Sequence, residues 1–214
     1  EGKKAQVKNR YLNAVYNVDA MLGEFVAYLK SRGLWEESVF VVVGDSGEAF
    51  YEHGFGNHSG PMYEEVMRTF ALIKPPVSKD IRPQIFQAPL SHIDIAAATL
   101  DLLDMPIPDD FQGMSPFDAN RRKTVYMHTN AIIKQNALIQ WPWKLLHTYY
   151  PYDRIELYEL EQDSGELRNL ASVHKEVAER LDELLSSWMT KQIVYYSDPA
   201  FYTEMSPPKL LESN

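Results

Sequence analysis

The chain has 214 residues, of which 45% are hydrophobic and 24% charged, enough for a substantial core in one large domain or one domain with an appendage. A formal charge of −9 and an isoelectric point near 5.2 argue against a cationic nucleic-acid groove or a polybasic membrane patch, so an anionic ligand would need a metal or a few local cations. The absence of cysteine excludes disulfides, thiolate metal sites and a cysteine nucleophile within the chain, and no run approaches the ~18 apolar residues of a membrane span or the apolar core of a secretory signal.

From Tyr11 the residues Val15, Val18, Leu22, Phe25 and Leu29 recur at three- and four-residue steps, which predicts a long amphipathic helix that Gly33 stops. The apolar run 39–43 predicts a buried strand, and residues 44–63 form a polar loop with five glycines and two histidines, His53 and His58. A second strand is expected over 69–73, closed by Lys74-Pro75-Pro76 because two prolines forbid further pairing. Ser91 or Asp94 could cap the next helix, in which Ile95, Thr99, Leu102 and Leu103 share a face before Pro106 ends it. This order suits an α/β fold, with a parallel or mixed sheet covered by helices. Beyond Phe117, short strands over 124–127, 138–141, 144–149 and 156–160 in meander spacing, then a helix over 173–189, predict a small α+β subdomain. The expected division is 1–118 for the α/β part, 119–194 for the subdomain and 195–214 for a loosely ordered or surface-wrapping tail.

The first strand empties abruptly into Gly44-Asp45-Ser46-Gly47-Glu48, and such strand ends are where α/β proteins keep their chemistry. A trypsin-like serine reading fails, because every histidine lies after Ser46 and a long helix precedes it. In a GDS-type serine esterase a hydrophobic strand also delivers a serine, but an aspartate should stand three residues before the base, and none of the six histidines has one. A metal reading suits the order better: a strand-end aspartate is a hard oxygen ligand, and nearby histidines can coordinate or hold an anion.

Residues 45–54, Asp-Ser-Gly-Glu-Ala-Phe-Tyr-Glu-His-Gly, resemble the sulfatase pattern Asp-His-Gly-Glu-x-Phe-x-Glu-His-Gly, and Asn57-His58-Ser59-Gly60 with Tyr63-Glu64-Glu65 resembles the histidine and Tyr-Glu-Glu that come next in that family. The likeness continues in register. Tyr11, Asp19 and Gly23 resemble the family's preceding helix, Arg68 to Pro75 its Arg-Val-Pro strand, and Asp94 through Thr99, Leu102 and Gly113 its Asp-x-x-x-Thr-x-x-x-Leu segment. Leu157-Tyr158-Glu159-Leu160, Asp163, Gly165-Glu166 and Asn169-Leu170-Ala171 resemble the signature of its C-terminal subdomain.

The resemblance implies the C-terminal half of a sulfatase-like enzyme of the alkaline phosphatase superfamily: a partial alkaline-phosphatase-like sheet covered by helices, with the small α+β subdomain appended. It implies a metal-dependent hydrolase of sulfuric or phosphoric esters, inactive without its N-terminal half, which would supply the nucleophile. No catalytic residue is therefore expected in this chain. Asp45 and Ser46 occupy the metal-ligand positions and His58 the position that faces the substrate's anionic group. The cation would be calcium, or manganese, magnesium or zinc, held weakly or not at all, because a serine hydroxyl replaces a stronger ligand. His53 is expected to hold the loop, His92 and Asp94 to cap a helix, and Asp19, Lys144 and Glu166 to serve packing or turns. Partners would be an anionic ester and the missing half, with no nucleic acid or membrane span. An apolar helix face left uncovered would favour self-association. Family habit implies an extracytoplasmic or periplasmic location. Rival readings are a phosphoglycerol or phosphoethanolamine transferase, a non-catalytic binding descendant and the serine esterase.

Overall fold

A computed structural model describes residues 2–86 and 89–197 of the chain. It divides into two compact units, Glu1–Pro83 and Gln84–Asn214. The change of pattern read at residue 118 falls inside the second unit, between a helix and a meander. Of the expected tail, residues 195–197 complete the last helix and the rest lies outside the described residues.

The first unit opens with α1, Gly2–Ser31, which begins nine residues before the periodic stripe because its first turns are polar but good helix formers. Arg32 and Gly33, the latter at φ 66°, end it with backbone bonds to Tyr28 and Lys30. No residue of α1 is buried. Leu22, Val26 and Leu29 are half-buried, while Val15, Val18, Met21 and Phe25 remain exposed. Asp19 is exposed too, a correction to its expected packing role. Tyr11 packs edge-on against Phe50 at 5.2 Å, and Phe25 approaches Phe40 at 6.1 Å.

Next come β1 (Phe40–Val43), the two-residue strands β2 (Ala49–Phe50) and β3 (Gly56–Asn57), the one-turn α2 (Glu64–Met67) and β4 (Ala71–Lys74). β1 pairs with β4 antiparallel, Val42 facing Leu72, and β2 pairs with β3 antiparallel. The sequence pointed to a parallel or mixed sheet; among the described residues every strand pairing is antiparallel. A parallel return needs a long crossover, usually a helix. Here the chain between β1 and β4 holds only a hairpin and one helical turn, and Gly44 N–H to Phe70 O (3.0 Å) and Gly47 N–H to Val66 O (2.8 Å) fold it back on itself. Lys74 fastens the entry to β1, its ammonium donating to the carbonyls of Trp35, Glu36 (2.8 Å) and Ser38 (3.1 Å).

In the second unit α3 (Ile93–Leu102) precedes β5 (Thr124–Asn130), β6 (Lys134–Gln140), β7 (Trp143–Tyr150), β8 (Arg154–Glu159) and α4 (Lys175–Ser197). The four strands form one antiparallel meander in sequential order. Its register places Tyr126, Leu138, Leu145 and Leu157 in one cross-strand row. Leu181 and Leu185 of α4, both 0% exposed, close over that row with Leu170 and Ala178, which is why a polar-flanked meander needs the final helix.

His92 stands at the N-cap position just before α3 but makes no side-chain capping bond, a correction to its expected capping role. Asp94 completes half of a capping box, its carboxylate accepting from Ser91 N–H at 2.8 Å. It also accepts from Met114 N–H at 2.9 Å and from the Arg122 guanidinium at 2.6 Å while only 5% exposed, so it ties three segments together. Gly113 permits this closure, since a Cβ there would lie 1.8 Å from the Ile93 carbonyl oxygen. Lys144 and Glu166, both 0% exposed, form a buried ion pair at 2.9 Å, Glu166 holding a turn at φ 53°.

Candidate functional site

The loop leaving β1 is pressed against the segment that leads into β4, and the two glycines flanking Asp45-Ser46 exist for that approach. A Cβ at Gly44 would sit 2.2 Å from Thr69 Oγ1, and one at Gly47 only 2.3 Å from the Glu65 carbonyl oxygen. Anchored on both sides, Asp45 stands exposed, its carboxylate accepting from Ser46 N–H at 2.8 Å. The Ser46 hydroxyl donates to the Gly47 carbonyl at 3.1 Å, and among the described residues no histidine is bonded to it. The base that a serine esterase requires is therefore not at Ser46 in this arrangement.

The β2–β3 hairpin decides the rest of the site. Its turn closes through Tyr51 N–H to Phe55 O at 2.9 Å, with Tyr51 at φ 69° and Gly54 at φ 85°. Ala49 faces Asn57 and Phe50 faces Gly56, so the next pair outward is Glu48 with His58. Their side chains meet as that register requires, His58 Nδ1 lying 2.9 Å from Glu48 Oε2. The bond to Glu48 raises the His58 pKa above 6.5, helped by the charges of Glu48 and Asp45, so the ring holds its proton further toward neutral pH. His58 stays open to solvent, its side chain 62% exposed.

His53 serves the scaffold, in keeping with its expected role. It stacks on Tyr63 with centroids 3.8 Å apart and planes 8° apart, and its Nδ1 bonds Glu65 at 2.7 Å, pinning the hairpin turn to α2. The sequence pattern did not assign Glu48 and Glu65 as partners of the two histidines. The alternation around 49–57 carried the signal for Glu48, since two strands meeting with that turn place 48 opposite 58.

Among the described residues no group of three or more His, Asp or Glu side chains is placed to hold a metal ion. Asp45 offers one hard carboxylate, whereas the Ser46 hydroxyl is neutral and already engaged with Gly47. Also among the described residues, no helix is long and apolar enough to cross a membrane.

Comparison with known proteins agrees with the sequence pattern. The Sulfatase family model matches residues 1–105. An N-acetylglucosamine-6-O-sulfatase of Bacteroides thetaiotaomicron is 28% identical over 203 residues, covering 85% of this chain and 36% of its own length. Arylsulfatase K of Bos taurus is 27% identical over 210 residues, covering 87% of this chain and 38% of its own. A solved structure described as a complex with its substrate D-glucosamine-2-N,6-O-disulfate superposes with a TM-score of 0.64 at 24% identity, over 86% of this chain and 40% of that one. The chain thus spans well under half the length of these relatives, and it shares their α/β, alkaline-phosphatase-like fold. The motif holds its register from α1 to the meander and these relatives align along most of the chain, so the likeness to the sulfatase family extends well beyond residues 1–105.

Proposed function

We propose that the chain is the C-terminal part of a hydrolase of sulfuric or phosphoric esters, whose nucleophile comes from the rest of the protein. The observation that carries this reading is that Asp45 and His58 lie in the family-matched segment, near enough for the Asp45 charge to act on the His58 ring, on a loop and a hairpin anchored by close glycine contacts and by His53. The exposed, protonated ring of His58 donates to an oxygen of the ester's anionic group or to the leaving oxygen. Asp45 would contribute one carboxylate ligand to a divalent cation, such as calcium, with the other ligands supplied by the rest of the protein. That cation would neutralise charge on the ester when bound.

The exposed apolar residues of α1 and the two-stranded β1–β4 ladder are the surfaces on which the remainder of the protein packs. Self-association of the chain produced alone is the competing occupancy, and sedimentation analysis separates the two. An extracytoplasmic location of the whole protein goes with this reading and is checked by fractionating the cells that make it.

The test is hydrolysis of p-nitrophenyl sulfate and p-nitrophenyl phosphate by the full-length protein. Asp45→Ala and His58→Ala should each lower kcat/KM by about a hundredfold, in the range for losing one charge-stabilising contact. The 214-residue chain alone should show no turnover. Metal-dependent turnover by the isolated chain, lost on Asp45→Ala, would overturn the split of the site between two parts of the protein. Ser46 favours a second reading, a descendant that keeps the fold for binding without catalysis. Metal titration of the intact protein discriminates, because absence of tight cation binding supports that reading.

A further inference from the structure

We propose that Glu48 is a positioning residue for His58: its carboxylate takes the Nδ1–H, fixes which ring nitrogen carries the proton, and leaves Nε2–H as the donor presented to the ester. This rests on the proposed role of His58 and assigns a role to a residue that would itself touch neither ester nor cation.

Three features of the hairpin carry it. Residues 48 and 58 are the register pair immediately beyond Ala49–Asn57, so the backbone brings their side chains together without a dedicated loop. Asn57 sits at φ 73°, a conformation asparagine tolerates, and its side-chain oxygen accepts from Ser59 N–H at 2.7 Å, which locks the backbone on both sides of His58. With Nδ1 held at 2.9 Å by Glu48, Nε2 has no other hydrogen bond among the described residues, and the ring is mostly exposed. A histidine held at its backbone and at one nitrogen can present the other nitrogen only along a narrow range of directions.

These contacts set the chemistry of the pair. Protonated, the ring donates from both nitrogens, one bond neutralising Glu48 and the other free for an anionic oxygen. When the ring loses its proton the hydrogen bond to Glu48 keeps Nδ1–H, so Nε2 becomes a lone pair facing an anion, and the contact turns repulsive. The charged groups bearing on the ring are Glu48, the residue just before β2, and Asp45, on the loop after β1; both favour the protonated ring. Ester binding through His58 is therefore strong at low pH and lost as pH rises through the raised His58 value.

The experiment uses the full-length protein with Glu48→Gln, Glu48→Asp and His58→Ala. Nitrogen-15 NMR tracks the His58 ring, and KM for p-nitrophenyl sulfate is measured against pH. Glu48→Gln can still accept from Nδ1–H but carries no charge. It should move the ring titration and the alkaline rise in KM to lower pH together, and raise KM at neutral pH by about tenfold, the worth of one charge-assisted hydrogen bond. Glu48→Asp, which keeps the charge, should restore part of the shift. A Glu48→Gln protein whose ring titration and KM profile match the parent, in a background where His58→Ala raises KM, overturns the positioning role and leaves His58 in place. If His58→Ala leaves KM unchanged while Glu48→Gln still moves the ring titration, the pairing stands but the reading of His58 fails, and the positioning role with it.

Discussion

Replacing Lys144 by methionine tests the most enclosed electrostatic contact of the second unit. Lys144 and Glu166 are both 0% exposed with nitrogen and oxygen 2.9 Å apart. At an effective dielectric constant of about 20, charges at that spacing attract by roughly 6 kcal/mol, while burying two ions costs several kcal/mol each, so the intact pair contributes little net stability. Removing one partner is different, because the desolvation of the carboxylate remains while its cation is gone. Lys144→Met fills similar volume, so the expected loss is about 3–5 kcal/mol from an uncompensated buried charge. The assay is urea unfolding monitored by tryptophan fluorescence, to which Trp143 on the same strand as Lys144 contributes. Acidification supplies an internal check, since a protonated Glu166 needs no cation and the deficit should shrink as pH falls. Adding Glu166→Gln to Lys144→Met should recover at least about 1 kcal/mol by the same reasoning. A leucine at 166 would be a poor control, because φ 53° strains a branched side chain there. A Lys144→Met protein within about 1 kcal/mol of the parent at neutral pH, with no pH dependence of the difference, would refute the reasoning.

Three further substitutions probe packing. Gly47→Ala puts a Cβ 2.3 Å from the Glu65 carbonyl and 2.9 Å from that of Arg68, both backbone atoms, and should cost about 1–3 kcal/mol in thermal unfolding while displacing the Asp45 loop; Gly165→Ala, whose nearest neighbour is Leu167 Cγ at 3.6 Å, should stay within about 0.5 kcal/mol. Leu145→Ala empties the centre of the row beneath α4 and should cost about 2–5 kcal/mol by chemical denaturation, and a loss below about 1 kcal/mol would mean that the sheet and helix do not share that core.

How much was legible in the sequence differs between the units for a physical reason. The meander announces itself through local alternation and turn residues. All four expected strands fall on observed ones, 144–149 almost throughout, whereas β5 runs on to Asn130, three residues further than expected, and β6 begins at Lys134, four residues earlier. That early segment, with Gln135 and Asn136 buried, was hidden because its polar side chains find partners across the sheet: Gln135 donates to Thr148 at 2.8 Å, and Asn136 bonds His128 at 2.6 Å. In the first unit β1 and β4 were placed to within two residues, yet their direction was not, and β2 and β3 lie inside the stretch expected to be loop. Direction depends on what the connection does in space, and glycines at 44 and 47 say only that something passes close by.

The candidate site divides along the same line. The linear order of Asp45, Ser46, His53 and His58 carried the family likeness, because the motif lies along one continuous stretch of chain. The sequence by itself also determined the helical stripe of α1 and the apolar rows of the meander, since period and burial are set by neighbouring residues. Only the tertiary structure decided which carboxylate each histidine holds, that Asp94 clasps Arg122 as well as Ser91, and that Lys144 and Glu166 neutralise each other in the interior. Those pairings join residues brought together by strand register and chain reversal, and no local pattern encodes them.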